Sequence, residues 1–385
     1  MSAISLQALA GQLTLRPGAP LGQSLHSSRP DLVPRLTRGR QASQLPALLG
    51  SVFSLCGHAH RWTAHSAVRA AQGDLCASPA AEGQAHRLAT LREQMLRISH
   101  DWPRLLPGAG TAAPLAGLLR SCPLWQEGLA PAQQLADLPG WLAQHWLGQS
   151  PADWLQAWQA DPGAAPLAWA RRTPGPLADL LACQAPAMQA LPAAGPTLAL
   201  LSQPTLSLPM LARAMASEPG FCLAPHWQGE TPDTGPWQRE GHHPHRLPCS
   251  AWDRLLARLV EVLLLAQPAG EQLLRHGALA LGPGVGLAWT EMARGLLVHR
   301  VALDDADGPL PRVADCRVLA PTEWNCHPQG LLARAIAALP AEPASADAAA
   351  RLAVAFDPCV PFHIEIGPPL GEDAACTETR TTAHA

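Results

Sequence analysis

Apolar positions along the chain fall mostly into helical spacing. The clearest run is Trp252, Leu255, Leu256, Leu259, Val260, Leu263 and Leu264, whose steps of three and four residues put them on one face of a helix. Ser250 and Asp253 precede it at the spacing of a capping box, in which the hydroxyl and the carboxylate each satisfy a backbone N–H of the first turn. The pattern predicts an amphipathic core helix. Shorter runs of the same period predict helices over 86–98, 151–159, 330–339 and 346–356, the second with Ser150 as cap and Pro151 at the first helical position. Alternating or apolar-rich stretches at 12–16, 296–303 and 317–319 predict strands, the middle one ending at an acidic turn, 304–307. Pro/Gly/Ala-rich stretches near 107–116, 161–176 and 185–196 read as loops, and the polar segment 371–385 as a disordered tail. The expected fold class is α+β, predominantly helical, with a small antiparallel sheet, in one domain over 1–370 and without internal repeats.

Composition narrows the functional classes. With 27 basic and 30 acidic residues the net charge is -3, which offers no electrostatic footprint for nucleic acid or an anionic membrane surface. The longest apolar run, 255–266, contains Arg258 and Glu261 and falls short of the ~20 residues of a membrane-spanning helix. The first twenty residues lack a basic stretch followed by an unbroken apolar core, so a cytoplasmic location is expected. Lysine and tyrosine are absent, whereas 13 Trp and 40 Pro stand in an Ala/Leu/Arg-rich background, a bias read as genomic. Ten cysteines without regular spacing argue for thiols or metal ligands over a disulfide framework.

Taken singly, a cysteine is a small buried hydrophobe; what sets two of these apart is the sequence around them. Leu55-Cys56-Gly57-His58-Ala59 is followed by Val68-Arg69-Ala70, and the glycine beside the cysteine permits close approach of backbone to a bound group. Pro321-Thr322-Glu323-Trp324-Asn325 follows the last predicted strand, and Asp357-Pro358-Cys359 follows the last predicted helix. Glu291-Met292-Ala293-Arg294-Gly295, with His299 beyond it, and the stretch 227–239 containing Asp233 complete the set.

Together these motifs resemble, in order and placement, the large subunits of nickel-iron hydrogenases, which carry C-G-x-C with a downstream V-R-A, an R-G turn, P-T-x-W-N and a C-terminal D-P-C-x-x-C. The resemblance implies a reduced large-subunit-like fold. In that family each cysteine pair gives first a terminal nickel ligand and then a thiolate bridging nickel and iron, soft donors suited to both metals. Here Cys56 and Cys359 keep the first positions, while Ala59 and Phe362 occupy the bridging ones. Thr63 and Glu365 stand where the family has histidines, and Gln41, in Arg38-Gly39-Arg40-Gln41, stands where it has a proton-transferring glutamate; an amide does not exchange a proton near neutral pH. The family's iron bears two cyanides and one carbon monoxide, whose cyanides accept hydrogen bonds from the R-G arginine and the P-T turn. Arg294, Pro321 and Thr322 match those positions, and a buried cyanide-bearing iron needs such donors.

This selective retention is similar to the hydrogenase maturation factors of the HupK/HoxV type. The resemblance implies a scaffold that is not an enzyme, with Cys56 and Cys359 as metal ligands and Arg294, Pro321 and Thr322 as cofactor contacts. It would bind the Fe(CN)2(CO) unit transiently, without nickel, and act with the hydrogenase large subunit precursor and HypC/HypD-type maturation proteins. Two rivals are a metal-free mimic of the large subunit that docks maturation chaperones and a divergent hydrogenase. Simpler roles exist for single residues. Arg294 could pair with Glu291, three positions away; Trp324 and Asn325 could only shape their turn; Cys326-His327 is left outside the site because neighbours on a strand face opposite ways. His242-His243-Pro244-His245 reads as a solvated loop.

Overall fold

Helix Ala251–Ala266 forms where the periodicity places it, and its capping box is present: the Ser250 amide donates to Asp253 at 2.7 Å and the Asp253 amide to the Ser250 hydroxyl at 3.4 Å. It runs through the middle of the molecule, in a computed structural model that describes residues 11–76, 80–110, 113–239, 249–367 and 379–381. Helices Ala80–Leu96, Pro151–Ala160, Pro176–Gln189 and Ser345–Phe356 pack around it, so the expected amphipathic helix is in fact buried on nearly every side. Arg254, Arg258 and Glu261 are enclosed with the leucines and persist there because each charge is met. Arg254 pairs with Asp233 and donates to the Ala193 carbonyl at 2.8 Å; Arg258 donates to Gln94 at 2.8 Å and pairs with Asp357 at 2.9 Å; Glu261 pairs with Arg239. Among the described residues no helix is long and apolar enough to cross a membrane.

The other predicted helices are present as Ala80–Leu96, Pro151–Ala160, Leu331–Ala337 and Ser345–Phe356, and the Ser150 hydroxyl caps the second by accepting from the Asp153 amide at 3.1 Å. Three predicted loops are corrected in part: helices Ala113–Leu118, Ala165–Arg172 and Pro176–Gln189 take up 113–116, 165–172 and 185–189 of the stretches 107–116, 161–176 and 185–196. Their prolines are punctuation of another kind: Pro166 and Pro176 lie in the first turn, where no intrahelical N–H is required, and Trp169, Leu177 and Leu181 are buried in the main core. Of the predicted tail, Thr379–Thr381 is a strand, and the rest lies outside the described residues.

Among the described residues eight strands make two sheets: β1 Leu13–Leu15, β2 Leu25–Ser27, β3 His276–Gly282, β4 Val285–Met292, β5 Gly295–Asp304, β6 Arg312–Leu319, β7 Phe362–Glu365 and β8 Thr379–Thr381. The antiparallel sheet is the meander β3-β4-β5-β6. A second, mixed sheet has the order β2-β1-β7-β8; β1 pairs parallel with β7, Leu13 opposite Phe362, and antiparallel with β2, Leu13 opposite Ser27. The residues just after β2 and just before β7 therefore emerge at the same end of this sheet.

Helix Gly57–Ala71 lies on β3, β4 and β5, joined to β5 by a 3.1 Å hydrogen bond between the buried rings of His60 and His299. Burial lowers the pKa of His86 and His299 to about 3, and burial together with His299 and Arg29 lowers that of His60. A depressed histidine contributes stability that is present above its unfolded value and lost as the pH falls through the folded one. Stability is accordingly expected to fall as the pH drops below about 6.5, by at most roughly 1.4 kcal/mol per pH unit for each histidine, and the melting midpoint with it. Equal midpoints at about pH 7.5 and pH 5 in a calorimetric series would contradict neutral burial of these rings.

Candidate functional site

Cys56 ends a short turn, Ser54–Cys56, and caps helix Gly57–Ala71. A side chain on Gly57 would put its Cβ 2.3 Å from the carbonyl oxygen of Gly50. The absence of a side chain there thus serves the crossing of helix Leu45–Val52 over the start of the cysteine helix, which corrects the expectation of a close approach to a bound group.

Cys359 lies in the turn between helix Ser345–Phe356 and β7. That helix is ended by Asp357 in the left-handed conformation, at φ 48°, which aspartate tolerates better than most residues. Three guanidiniums converge on its carboxylate: Arg97 Nε at 2.8 Å, Arg258 Nη1 at 2.9 Å and Arg294 Nε at 3.3 Å. Arg97 also donates to the Pro358 carbonyl at 2.8 Å, so the turn carrying Cys359 is held at two successive residues.

The two cysteines line one open cleft, together with Arg29, Phe53, Ala320 and Glu323. The Cys359 sulfur accepts a hydrogen bond from the Thr322 hydroxyl at 3.0 Å and another from Arg29 Nη1 at 3.6 Å. Arg29 Nη1 also pairs with Glu323 at 2.7 Å. Burial works against the Arg29 charge, but Cys359, Glu323, Cys56 and Cys326 together raise its pKa. At Cys56, burial and then the Cys359 thiol raise the pKa, against the pull of Arg294 and Arg29. Two thiols that would repel each other as anions thus lie within electrostatic reach of two guanidiniums.

The structure brings together the residues the sequence singled out, with changes in detail. Pro321 opens the short helix Pro321–Asn325 and is buried with Thr322; the Thr322 hydroxyl is engaged with Cys359. Arg294 is enclosed behind the cleft and pairs with Glu93 as well as Asp357, whereas Glu291 pairs with Arg239 and Arg275, so the simple Arg294–Glu291 pair is overturned. Its Nη2 is buried with no hydrogen-bond partner among the described residues. Gly295, at φ 136°, passes so close to Thr234 that a Cβ would clash at 2.5 Å, which fixes the R-G turn. Asn325 accepts from the Thr234 amide at 2.9 Å and donates to the Arg294 carbonyl at 3.1 Å, and Trp324 is buried in the core, in keeping with a turn-shaping role.

Positions that depart from the hydrogenase pattern are absorbed into packing or surface. Ala59 packs beside Cys56 and Phe362 is buried in the main core. The Thr63 hydroxyl donates to the Ala59 carbonyl at 2.8 Å and lies 3.0 Å from that of Thr290. Glu365 pairs with Arg16 and His363, and Gln41 bridges to Arg312, away from the cleft. Cys326 ends a helix, not a strand as first assumed; it lies within electrostatic reach of Cys359, and burial raises its pKa well above the ordinary thiol range. His327 turns aside to accept from the Gln329 amide at 3.0 Å. The His242-His243-Pro244-His245 loop lies outside the described residues. Arg29 and Glu93 were not anticipated, and no motif marks them; Glu323 stands inside the Pro321–Asn325 motif but was not singled out as part of the site.

No protein-family model matches the chain. It is 39% identical to the hydrogenase expression/formation protein HoxV of Cupriavidus necator, over 95% of this chain and 98% of that protein. It is 34% identical to the hydrogenase expression/formation protein HupK of Bradyrhizobium diazoefficiens, over 88% and 90% respectively. Among solved structures the fold is that of nickel-iron hydrogenase large subunits. The Ni-Fe-Se hydrogenase of Desulfomicrobium baculatum matches at a TM-score of 0.52 and 13% identity, over 87% of this chain and 93% of that one, and that of D. vulgaris Hildenborough at 0.51 and 13%, over 87% and 92%.

Two substitutions test the framework of the site. Asp357→Ala leaves three buried guanidiniums without their shared carboxylate and is expected to destabilise the fold by about 3–5 kcal/mol, measured by urea unfolding. Gly57→Ala forces helix Leu45–Val52 to shift and is expected to cost about 1–3 kcal/mol; unchanged unfolding midpoints would show that these contacts do not hold the site.

Proposed function

This chain belongs to the HoxV/HupK family of hydrogenase expression/formation proteins, and from that premise we propose that it is a scaffold holding an iron with two cyanides and one carbon monoxide as cargo for the hydrogenase large subunit precursor. Cys56 and Cys359 supply the thiolates, and HypC/HypD-type maturation proteins supply the cargo. The observation that carries this reading is the orphaned Nη2 of Arg294, a buried cationic donor behind the wall of the cleft that both cysteines line. A buried donor of this kind costs stability unless something accepts from it, and a cyanide nitrogen is an acceptor of the right charge. The donor set agrees. Two thiols are half of a tetrahedral set, and among the described residues no group of three or more His, Cys, Asp or Glu is placed to hold a metal ion. A unit that brings three diatomic ligands of its own needs no fuller set. Apolar Ala59 and Phe362 leave no bridging thiolates for a second metal, which supports a carrier over a hydrogenase.

Thr322 takes a supporting part. Its hydroxyl orients the Cys359 sulfur, while the Asn325 amide fixes the Arg294 carbonyl and so the guanidinium beyond it. Both contacts set the distance between ligand and donor. Metal binding by thiols releases protons, and burial raises the Cys56 pKa, so binding at this thiol is expected to depend on pH.

Infrared spectra of the protein purified after co-expression with the maturation proteins are expected to show bound cyanide and carbonyl bands. Cys56→Ala and Cys359→Ala should each abolish them, and Arg294→Lys should shift the cyanide bands. A wild-type protein without such bands, or one with stoichiometric nickel and hydrogen uptake to a dye, would defeat the reading.

A further inference from the structure

Arg29 is the one cation of the cleft that the hydrogenase-like motifs do not account for. It follows β2, at the end of the mixed sheet from which the Cys359 turn also emerges. One nitrogen, Nη1, is shared between Glu323, at 2.7 Å, and the Cys359 sulfur, at 3.6 Å. Glu323 is buried and holds the guanidinium in place, so what reaches the sulfur is a cationic N–H donor whose charge Glu323 offsets in part. Arg29 itself faces the cleft, as do Cys56 and Cys359.

We infer that Arg29 is a specificity-determining residue: it bars bare divalent cations from the Cys56–Cys359 pair while leaving room for iron already neutralised by two cyanides. A metal bound to Cys359 comes within a few ångströms of the guanidinium, where repulsion between like charges is well above thermal energy even at the effective dielectric of a protein surface. An iron(II) with two cyanides has no net charge before the thiolates bind, so it does not meet that repulsion. Its cyanide nitrogens accept hydrogen bonds, which turns the same arginine into a partner. This second half rests on the function proposed above; the exclusion of bare cations does not.

Cobalt(II) alone is the probe, since cobalt held by thiolates absorbs strongly through sulfur-to-metal charge transfer. Full-length wild type, Arg29→Met and Arg29→Gln are titrated, each against its own Cys359→Ser counterpart so that only absorption from this cysteine site is read. Wild type should need at least tenfold more cobalt for half-maximal absorption than either neutral variant. Arg29→Gln keeps a donor for Glu323, so the comparison survives if the methionine variant fails to fold. Wild-type binding at the same cobalt concentration as the variants overturns the inference, as does failure of every folded variant to bind. Because the titration contains neither cyanide nor carbon monoxide, its result is independent of the infrared test of cargo binding.

Discussion

The convergence of Arg97, Arg258 and Arg294 on Asp357 is the interaction on which the rest depends. Three buried guanidiniums repel one another, and a shared carboxylate is what allows them to lie within one core. Each comes from a different part of the fold: the turn after helix Ala80–Leu96, the central helix, and the hairpin between β4 and β5. Their meeting point therefore fixes the relative positions of these elements, and it lies two residues from Cys359. The carboxylate that ends the last helix at once balances the core and aims the ligand turn.

Much of this was legible in the sequence, for a physical reason. Helices that bury one stripe show their period, and the capping residues Ser150 and Ser250 mark where the period begins; the motifs around Cys56, Arg294, Pro321 and Cys359 are local, so their spacing carries over into the fold. What escaped reading is what tertiary context decides. Helix Ala251–Ala266 has polar residues at intervals that imitate a solvent face, and only the surrounding helices show that Arg254, Arg258 and Glu261 point inward. Helix Ala165–Arg172 was hidden by a proline that counts as a breaker in general but is tolerated in a first turn, and helix Pro176–Gln189 by Pro176 in its first turn and Pro186 in its interior. Arg29 was invisible because nothing near it in the chain explains it; the pairing of β2, β1 and β7 brings it to the cleft.

Compared with the hydrogenase pattern, the positions of the two bridging cysteines are apolar here. Ala59 and Phe362 have joined the hydrophobic packing, which removes donors and stiffens the wall. Arg29 and Arg294 remain as charges on either side of the thiols. Under the proposed function, a site with few ligands and strong outer contacts would recognise its guest by what the guest already carries, and little would have to be broken for it to leave.

The parallel contact between β1 and β7 gives the site a place in time as well as in space. Arg29 and Cys359 meet across 330 positions of sequence, so the thiol, its guanidinium partner and the aspartate-pinned turn cannot coexist until these distant segments have been made and have found each other. Contacts of such long range are late to form. A partly folded chain thus presents isolated cysteines with no cleft around them, and on the proposed reading competence to receive cargo would arise only with completion of the fold.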